Sequence, residues 1–306
     1  MANETSHPLE NHYNKMEEND NHNNKEEKDD DYDDFKIVDG RTFINIKESC
    51  AFLPIDHKSM SKMEILEVIS QHIWNSKFSP PVKEILENGG ASVIDVGCGS
   101  ATWLMFMAEE FPKSSFVGID IASLKDIKKE LPTNMAIIKH NIFDGLPFPD
   151  DTFDFVHQKH MFTALKIDQW PFVIDELIRI TKPGGWIEFV EYEQRPYSFG
   201  PLGEIFFTEV TKLCKSRGMD ISCCESIEEK LTTSDKIVEI NHQAKKFPLS
   251  GHGMAGEMLR QNMFASIEPM RPYFPSIIGV SLEEYDEMIR KFILEIIKHK
   301  TYLKSS

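Results

Sequence analysis

The sequence has no run of 18 consecutive apolar residues, which excludes a membrane-spanning helix. Cysteines are few and odd in number: Cys50, Cys98, Cys214, Cys223 and Cys224, with no C-x-x-C pair. That pattern argues against a disulfide scaffold and a zinc ribbon, and no metal ligand set is expected. No Lys/Arg stripe offsets a net charge of −16, so phosphate backbones are repelled and nucleic-acid binding is disfavoured. The first fifteen residues hold neither a charged n-region ahead of an apolar core nor an Arg-rich amphipathic stretch. A signal or transit peptide is therefore not expected, and the chain reads as soluble and intracellular, cytoplasmic or nuclear.

The acidity is uneven. Residues 1–34 hold twelve acids and three lysines, so this short segment carries −9 of the total. It is rich in Asn, Asp, Glu and Lys and cannot bury enough surface to offset its ordering entropy, which predicts a disordered acidic tail. Such a tail suits a basic protein partner. The 306-residue chain as a whole has 41% hydrophobic residues, enough for one large domain with additions.

Ser61 and Glu64 form a capping-box pattern ahead of Ile65, Leu66, Ile69 and Ile73, which predicts a helix over 62–75. With a short helix ending near Gly89–Gly90, residues 35–89 read as a helical cap. Strands are then expected at 92–96, 116–120, 136–141, 154–158 and 186–190. Helices are expected between them at 102–111, 124–130 and 169–181. This alternation implies a parallel sheet covered by helices on both faces. A helix over 204–216 follows, then two β-like runs at 236–241 and 243–249 that read as an antiparallel hairpin at the sheet edge. Residues 251–306 read as a helical segment, with Ser281 and Glu284 capping a last amphipathic helix.

The chemistry concentrates where the first of these strands ends, at Asp95-Val96-Gly97-Cys98-Gly99-Ser100-Ala101. A strand running through a glycine turn into a helix presents backbone N–H groups and a helix N-terminus to a ligand. Twenty-one residues past Gly99, Asp120 ends the next strand, where a carboxylate accepts hydrogen bonds from both hydroxyls of a ribose. A dinucleotide fingerprint needs a third glycine at 102, where Thr102 stands, and gives no reason for an acid at Asp95. That acid repels a pyrophosphate and attracts an ammonium, which favours S-adenosylmethionine over NAD. Past the third strand, Asn141 either accepts the adenine amino group or simply ends the strand as a turn residue. The Ile142 backbone N–H would face a ring nitrogen.

The D-x-G-x-G turn, the acid ending the second strand, LPFPDDTFDFV at 146–156 and KPGGW at 182–186 occur in order, and over about 90–195 the sequence resembles class I S-adenosylmethionine-dependent methyltransferases. Phe52-Leu53-Pro54-Ile55-Asp56, Gln71-His72-Ile73-Trp74, Trp103 with Met107–Pro112, and Asp154–His157 are further similar to the LaeA-like methyltransferases of fungi. The resemblance implies a Rossmann-like α/β fold over 90–250, with a seven-stranded, mostly parallel sheet whose last two strands form the hairpin at 236–249. It also implies S-adenosylmethionine bound by Asp95, Gly97, Cys98, Gly99, Asp120, Ile121, Asn141, Ile142 and Gln158. The acceptor is expected to be a small organic molecule, with His160 and Glu191 as candidate bases and His157 packing at a strand end. Met254, Met258, Met263, Phe264 and Phe274 either line the acceptor cleft or complete the core. The alternative to an enzyme is a regulatory protein that keeps the cofactor pocket and acts through partners.

Overall fold

The computed structural model describes residues 34–38, 40–122, 130–219, 222–272 and 274–306. The expected tail and most of the helix expected at 124–130 lie outside the described residues. The described residues begin with an antiparallel hairpin, β1 (Phe35–Val38) and β2 (Arg41–Ile44), within the segment expected to be a helical cap. Two helices follow, α1 (His57–Trp74) and α2 (Lys83–Asn88). Helix α1 starts five residues before the expected 62, because its cap is Asp56. The Asp56 carboxylate accepts the Ser59 N–H at 3.2 Å and pairs with Arg41 of β2, so Ser61 and Glu64 fall inside the helix.

The alternating region comprises β3 (Ser92–Val96), α3 (Thr102–Glu110), β4 (Ser115–Asp120), β5 (Met135–Lys139), β6 (Phe153–Lys159), α4 (Trp170–Ile180) and β7 (Thr181–Val190). Its five strands form one parallel sheet in the order β5-β4-β3-β6-β7. All five residues of β3 are buried, as expected of a central parallel strand covered on both faces. One face carries Ile94, Val96, Val156 and Leu177, and the other carries Val93, Leu104, Phe116 and Phe155. The strand order reverses between β3 and β6, which opens a crevice beyond their carboxyl ends. Pro183-Gly184-Gly185 does not precede the last strand as a turn. It bulges within β7, since Phe153 pairs with Thr181 and Phe155 with Trp186. A Cβ on Gly185 would stand 2.9 Å from the Lys182 carbonyl and 3.0 Å from that of Asp154, so only glycine fits there.

Past Glu191 the chain forms β8 (Tyr192–Tyr197), α5 (Pro201–Ser216), α6 (Cys223–Thr233), β9 (Lys245–Pro248), α7 (Gly253–Ile267), α8 (Phe274–Ile278), α9 (Leu282–His299) and β10 (Tyr302–Ser305). The expected hairpin is absent. Residues 236–241 form no strand, and β9 pairs instead with β10, which pairs with β8 in a separate three-stranded antiparallel sheet. The strand at 302–305 is too short, and too close to a helix, to stand out in the sequence. Helix α9 keeps the expected capping box: Ser281 Oγ accepts the Glu284 N–H at 3.2 Å, and Glu284 Oε2 accepts the Ser281 N–H at 2.8 Å. All five cysteines are free thiols.

Candidate functional site

A cavity of 280 Å³ lies at the carboxyl ends of β3, β4 and β6, roofed by α1. Its floor is the turn between β3 and α3. Gly97 and Cys98 both donate their N–H to the Ile119 carbonyl, at 2.8 and 3.0 Å, which ties the turn to β4. Gly97 sits at φ +78° and Ala101 at φ +55°, so the backbone curls over the sheet edge into the helix. Asp120 ends β4 and braces this turn: Oδ2 accepts the Gly99 N–H and Oδ1 the Ala122 N–H, each at 2.8 Å. Burial holds the Asp120 carboxyl above its ordinary pKa, and these two N–H groups offset that only in part. Ile121, Asn141 and Ile142 line the far end of the cavity. Asn141 Oδ1 also accepts the Phe143 N–H at 3.1 Å, so the turn and ligand readings share one residue.

Asp95 is buried at 3% exposure beside the turn. The parallel register of β3 and β6 sets it opposite His157, whose Nδ1 lies 2.8 Å from Asp95 Oδ1. The imidazole is stacked on Trp103 with ring centroids 3.8 Å apart, and its Nε2 stands 3.9 Å from Glu188. Trp103 is itself held by its Nε1–H on the Lys77 carbonyl. His157 is therefore more than strand-end packing: it fixes the orientation of Asp95. No spacing in the sequence announces that pair, because 62 residues separate its members.

Three of the expected site residues fall differently from the expectation. The Cys98 side chain points into the core, packed against Gly118 and Leu104, so only its backbone belongs to the turn. Gln158 does not line the cavity; it is buried, whereas its neighbours His157 and Lys159 do line it. The alternation of a strand sends Gln158 to the other face. Glu191 lies outside the cavity as well. Its Oε1 accepts the Met161 N–H at 2.6 Å, which secures the turn after β6, and burial lifts its pKa to about 8. His160 does line the cavity, stacked on Tyr192 with centroids 4.6 Å apart. Its buried Nε2 has no partner among the described residues, and burial, with Lys159 and His157 nearby, holds the imidazole well below its ordinary pKa.

Sequence reasoning missed the roof. Met63 of α1 stands over Gly99, and Met161 stands over Gly97, where a Cβ would come within 2.3 Å of its sulfur. Lys159 closes a side wall, donating to Glu67 and Ser70 of α1 at 2.8 and 2.9 Å. Burial acts to raise the Glu67 carboxyl, but Lys159 outweighs it and leaves the pKa below the ordinary value. The proposed acceptor wall is not here. Met258, Met263 and Phe264 pack in the core beneath β9, Phe274 packs against Phe206, and Met254 is exposed. Among the described residues, no group of three His, Cys, Asp or Glu side chains is placed to hold a metal ion, and no helix is long and apolar enough to cross a membrane.

Residues 93–185 match the sequence profile of a family described as a methyltransferase domain. The chain is 28% identical over 161 residues to the secondary metabolism regulator laeA of Coprinopsis cinerea, covering 52% of this chain and 39% of that protein. It is 26% identical over 254 residues to the N-methyltransferase verN of Clonostachys rogersoniana, covering 80% and 88%. The chain thus spans well under half the length of the laeA regulator. Among solved structures, a coclaurine N-methyltransferase bound to N-methylheliamine and SAH overlaps 85% of this chain and 74% of its own, at 14% identity and TM-score 0.44. The cofactor of this domain class is S-adenosylmethionine, and the residues present fit it. The turn at Gly97 and Gly99 is a cradle that a side chain would fill, and Asp120, Asn141 and the unpartnered His160 Nε2 face one space. At 280 Å³ that space is just under the usual range for small-molecule sites, about 300–1,000 Å³. Two flexible thioethers, of Met63 and Met161, stand over its glycine turn.

Proposed function

We propose that this chain, which carries a class I S-adenosylmethionine-dependent methyltransferase domain resembling fungal LaeA-like proteins, methylates a small organic acceptor of the kind found in secondary metabolism. The observation that carries this reading is the brace between Asp120 and Gly99, which opens onto the same cavity as Asn141 and His160. When bound, the cofactor supplies its methyl on a sulfonium, already an activated leaving group. The residues of the chain do the rest. Asp120 receives the ribose hydroxyls, and Gly97 and Gly99 let the ligand approach the backbone closely. Asp95, oriented by His157, balances the ammonium, while Ile121, Asn141 and Ile142 hold the adenine.

Methyl transfer needs in-line placement of a nucleophile about 3–3.5 Å from the methyl, with water excluded. The apolar roof of Met60, Met63, Leu66 and Met161 favours exclusion and a small apolar acceptor over a polyanion. His160 is neutral near pH 7, so its Nε2 is able to take a proton from an acceptor that carries one. Glu191 acts through structure, holding the turn that presents His160. A second reading, a regulator that keeps the cofactor pocket and works through protein partners, draws on the similarity to a protein named a regulator.

Thermal-shift titration with S-adenosylhomocysteine, S-adenosylmethionine and NADH tests the pocket. Ligand at 100 times its Kd adds about 2.7 kcal/mol, and stabilisation is expected from the two sulfur nucleosides alone. Transfer of labelled methyl to a panel of small phenols and amines then separates the readings. Labelled product is expected, whereas cofactor binding without turnover on any of them would favour the regulator.

A further inference from the structure

S-adenosylmethionine carries an ammonium and a carboxylate on one carbon, so the groups that receive them must be neighbours. Asp95 answers the ammonium alone. A carboxylate brought beside that buried acid without a cation of its own is strongly disfavoured, because buried charge is tolerated only when paired. The cavity must therefore offer a positive group close to Asp95.

Among the described residues that line the cavity, two are lysines and none is arginine. Lys62 belongs to the amino end of α1. It donates to the Ala265 carbonyl of α7, and its charged neighbours are Arg41, Asp56, Lys58 and Glu268. The histidines do not serve either. His140 Nε2 is engaged with the Gly145 carbonyl, His157 faces Asp95, and burial keeps His160 uncharged.

Lys159 stands where the cation is needed. It ends β6 two residues past His157, on the same face of the strand and about 7 Å further along. His157 is the residue set directly opposite Asp95. The Lys159 charge is felt by Glu67, Glu188 and His160, and each of these also feels His157. An ammonium has three N–H donors. Two of them go to Glu67 Oε2 and Ser70 Oγ of α1, at 2.8 and 2.9 Å. The Glu67 carboxylate is steadied in turn by the Gln71 side-chain N–H, at 2.9 Å. The third Lys159 donor meets no acceptor among the described residues, and Lys159 lines the cavity.

We infer that Lys159 receives the carboxylate of S-adenosylmethionine, so that Asp95 and Lys159 together recognise its amino-acid end as a zwitterion. This rests on the cofactor assignment above and adds a selection to it: a nucleoside that keeps the ammonium but lacks the carboxylate is held less tightly. Glu67 is the counter-charge that lets a lysine be buried there. Lys159 is then bonded to α1 and to the ligand at once, which ties the roof to the occupied site.

The test is calorimetric titration of the full chain with S-adenosylmethionine and with its decarboxylated form, which keeps the adenosine, the sulfonium and the ammonium. Binding alone is read, and no turnover is needed. The parent chain is expected to prefer S-adenosylmethionine at least tenfold, the size of effect that one charge-assisted bond supplies. Removing Lys159 alone would strand Glu67, so Lys159→Met is made in the Glu67→Gln background and compared with Glu67→Gln by itself. S-adenosylmethionine should then bind at least tenfold more weakly, whereas the decarboxylated form should bind equally well or better. Lys159→Arg, which keeps the charge, should retain the preference. Equal loss for both ligands would overturn the proposal, since it would mean that Lys159 only holds α1. Unchanged affinity for S-adenosylmethionine would overturn it too, as would a parent that binds the two ligands equally. In those cases the cofactor assignment still stands. A parent that binds neither ligand would remove that assignment, and this proposal with it.

Discussion

The two sheets of this protein are specified in different ways. The parallel sheet is written in apolar residues: β3 is buried throughout, and β4 and β6 are buried over most of their length. Its register follows from which residues must leave water. The antiparallel sheet of β8, β10 and β9 is written in Lys, Glu and Tyr. Tyr197 stacks on Tyr302 with centroids 5.1 Å apart, and Lys304 and Lys246 each stand 4.6 Å over a tyrosine ring. Pairs of that kind are worth about 0.5–1.5 kcal/mol each and leave little trace in a hydrophobicity pattern. The first region is therefore the stable platform on which the cofactor turn is mounted. The second joins it where β7 passes through Glu191 into β8, and packs on it through Tyr192 against His160 and through Phe247 against Ile69 of α1.

The contrast can be broken most forcefully at Phe155, which is fully buried between Phe78 and Trp103, with ring centroids 6.1 and 6.0 Å away. Phe155→Ala should cost about 3–5 kcal/mol, measured as a drop in the midpoint of chemical denaturation. A loss below 1 kcal/mol would mean that the parallel sheet is not the platform.

At the joint the prediction concerns pH. Burial raises the Glu191 carboxyl to about 8, so the folded state holds a proton that the unfolded chain releases near its ordinary value, about 4.3. The native state binds more protons across that interval, so stability falls as pH rises from about 4.3 to 8. Glu191→Gln keeps an acceptor for the Met161 N–H and should flatten that slope. A pH–stability curve identical to that of the parent would show that Glu191 is not the group responsible.

Function separates from stability at the cofactor turn. Asp120→Ala should weaken S-adenosylhomocysteine binding at least tenfold in calorimetry while the circular dichroism spectrum is retained. Unchanged affinity would place the ribose elsewhere. The smallest effect is expected in the second sheet, where Tyr302→Ala removes the stack on Tyr197 and should cost about 1 kcal/mol, with cofactor affinity unaltered. A tenfold loss of cofactor binding in that variant would show that the outer half of the second sheet is coupled to the cofactor turn.

How much was legible follows the same division. The five parallel strands, the glycine turn, the acid at Asp120 and the capping box at Ser281 could all be read, because each rests on a local signal: an apolar run, a positive-φ glycine, a carboxylate at a strand end, a Ser/Glu spacing. The hairpin expected at 236–249 could not be resolved. A β-prone run becomes a strand only when another strand offers it bonds, and residues 236–241 have no such neighbour among the described residues. Gln158 and Cys98 sit beside cavity-lining residues in the chain but point elsewhere: strand alternation turns Gln158 away, and the course of the glycine turn sends the Cys98 side chain into the core. The start of α1 was misplaced because Asp56 is chosen as cap partly through Arg41, on another element.

The sequence by itself determined the sheet class, the place of the turn and the kind of cofactor it suits, since those depend on residue order within a few positions. Only the tertiary structure decided which side chains meet. It brought Asp95 to His157, Met63 and Met161 to the glycine turn, and Ser306 to Glu191. Contacts across dozens of residues are set by parallel register and by packing of the whole chain, and no local pattern encodes them.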